Sequence, residues 1–198
     1  MEQIISEGKS TLKELQTQFE KLKESNRQKS ENAAATTAAS DELTKGLSLG
    51  LNAAADRSLH GVRKNAIETA GVETAFAEIR EELINNAADT PAMLERLEVR
   101  ILARLNAINT RNFPNVDGAL GLFRLALDKN IDPTVSLETS IDETEALIER
   151  LEAVLSEMAE MAKFDAIPEE LKRLIKAELE LLEETKRKRK EKAIRALD

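Results

Sequence analysis

Cysteine is absent from this 198-residue chain, and so are tryptophan and tyrosine. Without cysteine there are no disulfide staples, no thiolate metal sites and no cysteine nucleophile. Without Trp or Tyr the chain lacks the residues that most often anchor interfaces and stack on sugars or bases. Its aromatic residues, 3% of the total, are all Phe. Only 7 Gly and 4 Pro interrupt it, too few for the many turns of an all-β chain. A single histidine, His60, excludes a carboxylate-bridged di-iron bundle, which needs two Glu-x-x-His motifs, and residue 57 is Arg in any case. The nucleophile elbow G-x-S-x-G, the phosphate loop and the dinucleotide fingerprint are all missing. No window approaches the roughly 18 apolar residues that a membrane span requires. The stretch Met1–Leu15 is broken by Glu2, Glu7 and Lys9, so it does not read as a signal peptide. The expectation is a cytoplasmic protein, with export by a signal-independent route equally compatible with this composition.

What remains is helix chemistry. Apolar residues make up 41% and charged residues 33% of the chain, and the apolar ones recur at three- and four-residue spacing. The pattern predicts an all-α protein, an elongated helical bundle of six to seven helices with an N-terminal coiled-coil-like arm. The arm is expected over 1–70, with a hinge near 32–40 in the low-complexity run NAAATTAAS, and the bundle over 71–198. Ile5, Leu12, Leu15, Phe19 and Leu22 follow a 3-4 spacing that forms a seam of about three heptads. Asn26 continues the register as a polar residue suited to pinning it. Gly46, Gly50 and Ala54 then recur every four residues, which predicts close approach of another helix.

Further along, Gly71 reads as a helix stop, and Thr90-Pro91 as the N-cap and first turn of another helix. The stretch 109–116 reads as a loop, and Ser140 with Glu143 as a capping box opening a helix along Leu147, Leu151, Val154, Met158 and Met161. Pro168 opens the final, charged helix. The stretch 128–139 places oxygen-bearing residues as a calcium loop would. However, Pro133 stands where glycine permits the turn and Thr139 where a bidentate Glu is needed, so an ordinary Asx-and-Pro loop is expected.

Two charge features rise above the background. Arg96, Arg100 and Arg104 form a basic ridge, and Asp142, Glu145, Glu149 and Glu152 an acidic one. The simplest account pairs the ridges, within one molecule or across a dimer; the alternative is an acidic or phosphate-bearing partner for the arginines. Second, the net charge of −8 hides an asymmetry: 138–184 carries 15 acidic and 5 basic residues, whereas 185–198 carries 7 basic and 2 acidic. The basic tail, Lys186, Arg187, Lys188, Arg189, Lys190 and Lys192, is the one candidate for anionic membrane or nucleic acid. It also suits a solvated helix C-terminus. His60, lone and helical, reads as a surface residue.

Together these features predict a non-enzymatic structural or assembly protein that self-associates through helical coiled-coil contacts. The alternative is an adaptor that binds a partner helix or an anionic surface through the arm and the basic tail. Neither reading calls for a cofactor, a metal or a small-molecule substrate.

Overall fold

The computed structural model describes residues 1–31, 38–87 and 90–161. The chain divides into two compact units, Met1–Glu157 and Met158–Asp198. The described residues form four helices and no strand: α1 (Glu2–Glu31), α2 (Ala38–Asn85), α3 (91–128) and α4 (134–161). The expected helix after Pro168 lies outside the described residues.

Paired side chains give the direction of each helix. Along α1 and α2, Lys64 Nζ donates to Glu7 (2.8 Å), Arg57 pairs with Glu14, and the Asn65 amide reaches the Ile4 carbonyl (3.5 Å). Rising numbers on one helix meet falling numbers on the other, so the two are antiparallel. The same holds for α2 and α3, where Arg63 pairs with Asp117 at 2.6 Å and Arg80 with Glu98 at 2.6 Å. Along α3 and α4, Asn115 donates to Glu143 (3.5 Å) and Arg100 lies 3.9 Å from Glu157. Lys9 meets Glu152 at 2.6 Å and Asn26 reaches Thr134 at 3.5 Å, which brings α1 antiparallel to α4 and closes the ring. The first unit is therefore an up-down-up-down four-helix bundle. Its core is mainly aliphatic, with Phe123 near the C-terminal end of α3: Leu15, Leu97, Ile101, Leu105, Leu120, Phe123, Leu137 and Val154 are fully buried.

The expected arm is thus corrected. Residues 1–31 fold back along α2, and the seam residues Ile5, Leu15, Phe19 and Leu22 are buried inside the bundle, with Leu12 half-buried. A 3-4 seam tells that a helix has an apolar stripe and is silent on whether the partner is another molecule or the next helix. The amide buried in this interface is Asn65 on α2, not Asn26, which is exposed. The hinge expected near 32–40 falls largely outside the described residues.

The helix count is corrected as well, from six to seven to four among the described residues. Gly71 does not end α2: the helix runs through it, with no positive φ at any glycine. Gly71 is exposed and costs about 1 kcal/mol against Ala, which packing on either side outweighs. Nor is 109–116 a loop. α3 continues through two π-helical stretches, Arg96–Leu102 and Ile108–Asn112, each closed by an i to i+5 bond at its end. An α-helix advances about 40° too far at every four-residue step. Leu97, Ile101 and Leu105 are spaced by four and all fully buried, and the wider π turns hold them on one face. Pro114, whose ring would clash with the carbonyl four residues back in a regular helix, stands two residues past the second π stretch, and that carbonyl, of Thr110, lies within it.

α4 starts at 134, so Ser140 lies inside it, buried, with its hydroxyl donating to the Ser136 carbonyl (2.8 Å). The true start signal is Asp132, whose carboxylate accepts from the Thr134 backbone N–H (3.0 Å) and hydroxyl (2.5 Å). Those two donors hold the Asp132 carboxyl below its ordinary range. With Asp128 paired to Arg124, the stretch 129–133 is an Asx-and-Pro turn, and 134–139 already belongs to α4. The expected N-cap at Thr90 is present: its hydroxyl accepts from the Met93 N–H at 3.3 Å. Of the small residues, Ala54 is fully buried and a Cβ on Gly50 would meet Gln18 at 3.6 Å, while Gly46 faces open space.

The Glu7–Lys64 pair predicts a pH dependence. The Lys64 ammonium, with help from Gln3, holds the Glu7 carboxyl below its ordinary value. A depressed folded value means the contribution is present above the unfolded value and lost as pH falls through the folded one. The difference in urea midpoint between wild type and Glu7→Gln should be present at pH 7 and shrink as the pH falls below the ordinary glutamate value of about 4.3. A difference that persists unchanged at acid pH would refute it.

Candidate interaction surfaces

Among the described residues no group of three or more His, Asp or Glu side chains is placed to hold a metal ion. No described helix is long and apolar enough to cross a membrane. His60 is exposed on α2. The surface features that stand out are apolar and electrostatic.

The last turns of α3 carry the first. Its buried side presents Val116, Ala119, Leu120 and Phe123. Its two charged residues before the terminus, Asp117 and Arg124, both turn to α2, where Asp117 takes Arg63 and Arg124 takes Asp56 (2.8 Å) and the Asn52 amide oxygen. The opposite side is left with Gly118, Gly121, Leu122 and Leu125, spaced i, i+3, i+4 and i+7. Leu122 is 62% exposed and Leu125 44%. Nothing lies within 4 Å of where a Cβ would stand on Gly118 or Gly121. Ile131 and Val135, 59% and 74% exposed, extend the patch across the turn into α4, around an open groove of about 390 Å³. Lys129 and Asp132 border this groove, and neither is in an ion pair.

The sequence held a signal for this face. Residues 116–127 are apolar around most of the helix circumference, which for a surface helix marks contact on more than one side. It follows neither a heptad nor a charge ridge.

The second feature is the arginine ridge. Arg96 and Arg100 approach Glu157 of α4, at 3.7 and 3.9 Å, and Arg104 is exposed with no ion pair. The acidic ridge does not answer it within the molecule. Glu152 turns to Lys9 on α1, and Asp142, Glu145 and Glu149 are exposed. The expected pairing of the two ridges inside one molecule is therefore corrected. On α4, seven-residue spacing puts Glu143 and Glu157 on the α3 side, and the acidic ridge follows the other flank.

A second groove, between α2 and α3, is lined by Val62, Ala66, Ile67, Phe113 and Pro114 and bridged by the Arg63–Asp117 pair. Beyond it the Glu73 carboxylate accepts from the amides of Asn106 (3.0 Å) and Asn109 (2.6 Å), which ties α2 to the second π stretch. These polar contacts are spent on holding the helices together.

Of the residues singled out from sequence, the seam Ile5, Leu12, Leu15, Phe19 and Leu22 is turned inward. Arg96, Arg100 and Arg104 share one flank of α3. Lys186, Arg187, Lys188, Arg189, Lys190 and Lys192 lie outside the described residues. Compared with protein-family models, curated proteins and solved structures, the chain matches none.

Proposed function

We propose that this protein is a non-enzymatic assembly component that pairs with a second copy of itself through the outer face of α3. The observation that carries this reading is the uncharged stripe Gly118, Gly121, Leu122 and Leu125, exposed but for the half-buried Gly121 and continuous with Ile131 and Val135. Two glycines inside a helix, with nothing of the same chain against them, weaken that helix by about 1 kcal/mol each. A second helix seated on the stripe gives them a purpose, since their missing side chains let backbones approach closely. The occupant is a second copy on grounds of charge. Lys129 and Asp132, opposite in charge and each without an ion pair within the chain, both border the groove, so a second copy would offer each a counter-charge. The side-chain and backbone hydrogen bonds from Thr134 keep Asp132 ionised for that role.

Self-association thus moves from the N-terminal seam to α3. Sedimentation equilibrium of the wild type at about 500 mM salt, where contacts between exposed charges are screened, should give twice 22.0 kDa. The double variant Leu122→Asp/Leu125→Asp should give 22.0 kDa with unchanged far-ultraviolet circular dichroism. Burying unpaired carboxylates in such a contact weakens it by at least about a hundredfold. A wild type that stays monomeric would discard pairing and favour the adaptor reading, with the same face open to a partner's helix. A variant that stays dimeric would move the contact elsewhere.

A further inference from the structure

The α3–α4 register brings together arginines that are far apart in sequence. Asn115 lies opposite Glu143 and Arg100 opposite Glu157. Arg150 stands midway between Glu143 and Glu157 at seven-residue spacing, so it shares their flank, facing α3. The antiparallel register sets it against residues 107–108 of α3, with Arg104 one turn before and Arg111 one turn after. Arg104, Arg111 and Arg150 are all exposed, and none makes an ion pair or a hydrogen bond.

Nothing on their own helices offsets them. The positions three and four residues away from each are Arg100, Ile101, Ala107 and Ile108 for Arg104; Ala107, Ile108, Pro114 and Asn115 for Arg111; and Ala146, Leu147, Ala153 and Val154 for Arg150. None is a carboxylate. Arg100 and Arg104, at i and i+4, repel. The other flank of α4 mirrors this. Asp142, Glu145 and Glu149 are exposed without an ion pair, and no Lys or Arg stands three or four residues from any of them. Glu145 and Glu149 are again a like-charged i, i+4 pair. A chain with many cross-helix ion pairs thus keeps three unpaired arginines, bounded at either end by Glu143 and Glu157, and three unpaired carboxylates on the other flank of α4, turned so that the two groups cannot meet.

We infer that these faces are the two halves of one contact: the Arg104–Arg111–Arg150 cluster of one molecule receives the Asp142–Glu145–Glu149 ridge of the next. The inference rests on the reading that the protein assembles with itself. Because the two halves are different surfaces, the contact is head-to-tail, and repetition gives rings or filaments instead of a closed pair. It is separate from the α3 outer face, so each dimer carries two free heads and two free tails. Exposed charges in high dielectric set orientation and encounter rate more than affinity, so growth is salt-sensitive while the apolar pairing is not.

The experiment is sedimentation velocity on the full chain at about 20 mM and about 500 mM salt. Assemblies larger than a dimer are expected at low salt, dissolving to the dimer at high salt. Two triple variants, Arg104→Glu/Arg111→Glu/Arg150→Glu and Asp142→Lys/Glu145→Lys/Glu149→Lys, should each fail to grow at low salt, a loss of tenfold or more in the large species. An equimolar mixture should grow again, because each supplies the face the other has reversed. Circular dichroism checks that both remain helical. Growth that survives either reversal, a mixture that stays small, or a wild type that never exceeds a dimer overturns the inference. So does loss of binding to a labelled single-stranded oligonucleotide in the arginine variant with self-association untouched, which reassigns the cluster to nucleic acid. The high-salt mass scores the α3 pairing on its own: a monomer there with growth retained at low salt sinks that reading and leaves this one standing.

Discussion

Leu15→Asp should cost the protein several kcal/mol of folding stability, and the loss should appear as unfolding of the bundle and not as dissociation of an intact subunit. Leu15 is 0% exposed and lies on the side of α1 that faces α2 and α4. An ionised carboxylate there loses its hydration with no cation to replace it, or must bind a proton to stay. α1 supplies one of four walls, so its departure uncovers Leu51, Ala54, Val62 and Ile148 together. Urea titration followed by circular dichroism distinguishes the outcomes. A midpoint lowered by an amount equivalent to about 3 kcal/mol or more fits the closed bundle. An unchanged midpoint with a smaller sedimenting mass would mean that the seam serves another molecule after all. Leu15→Ala, which leaves a cavity and adds no charge, should fall in the range of about 2–5 kcal/mol.

Adjacent residues on α3 give the second large effect. Phe123→Ala should destabilise by about 3–5 kcal/mol, and Leu122→Ala by less than about 0.5 kcal/mol when measured at a concentration too low for the proposed self-association. Phe123 is 0% exposed and Leu122 62% exposed. One removes the largest fully buried side chain in the bundle, and the other trims a leucine that touches mostly water in the isolated molecule. In a unit of this size the first corresponds to a fall in Tm on the order of 10 °C. At higher concentration the ranking changes character, because Leu122→Ala should then weaken association while Phe123→Ala leaves the surface intact. Equal effects of the two at low concentration would refute the orientation of α3, and with it the exposed stripe.

How much of this was legible in the sequence depends on what each residue answers to. The class of fold follows from local rules, since the scarcity of Gly and Pro and the 3-4 spacing of Leu and Ile act within a few turns. Thr90 caps its helix because an N-cap is a local bond. The failures are tertiary. Gly71 and Pro114 are helix breakers by propensity, but helices packed along both sides of them hold the backbone. At Pro114 the π turn supplies the room, and π turns have no sequence signature that a single chain displays. Ser140 with Glu143 spells a capping box, yet Asp132 and Pro133 start the helix earlier. The seam at Ile5–Leu22 was visible while its partner was not. The arginine cluster was half visible: Arg96, Arg100 and Arg104 stand in one helix, but Arg150 joins them only through the register of α3 against α4. The stripe on α3 is hard to read from sequence because leucines that face a partner and leucines that face the core have the same local pattern.

The ring of helices also sets an order of events in time. Three of its interfaces join helices that follow one another in the chain, so each can form as a local hairpin with a short loop to close. The fourth does not: Asn26 and Thr134 are 108 residues apart. Contact between α1 and α4 must await the other three, and until then Leu15 and Phe19 stand open to water. The last step of folding is then also the moment of greatest stickiness. α1 is synthesised before α2, α3 and α4 yet its far side is among the last surfaces to be sealed, and its safety rests on how quickly α4 arrives.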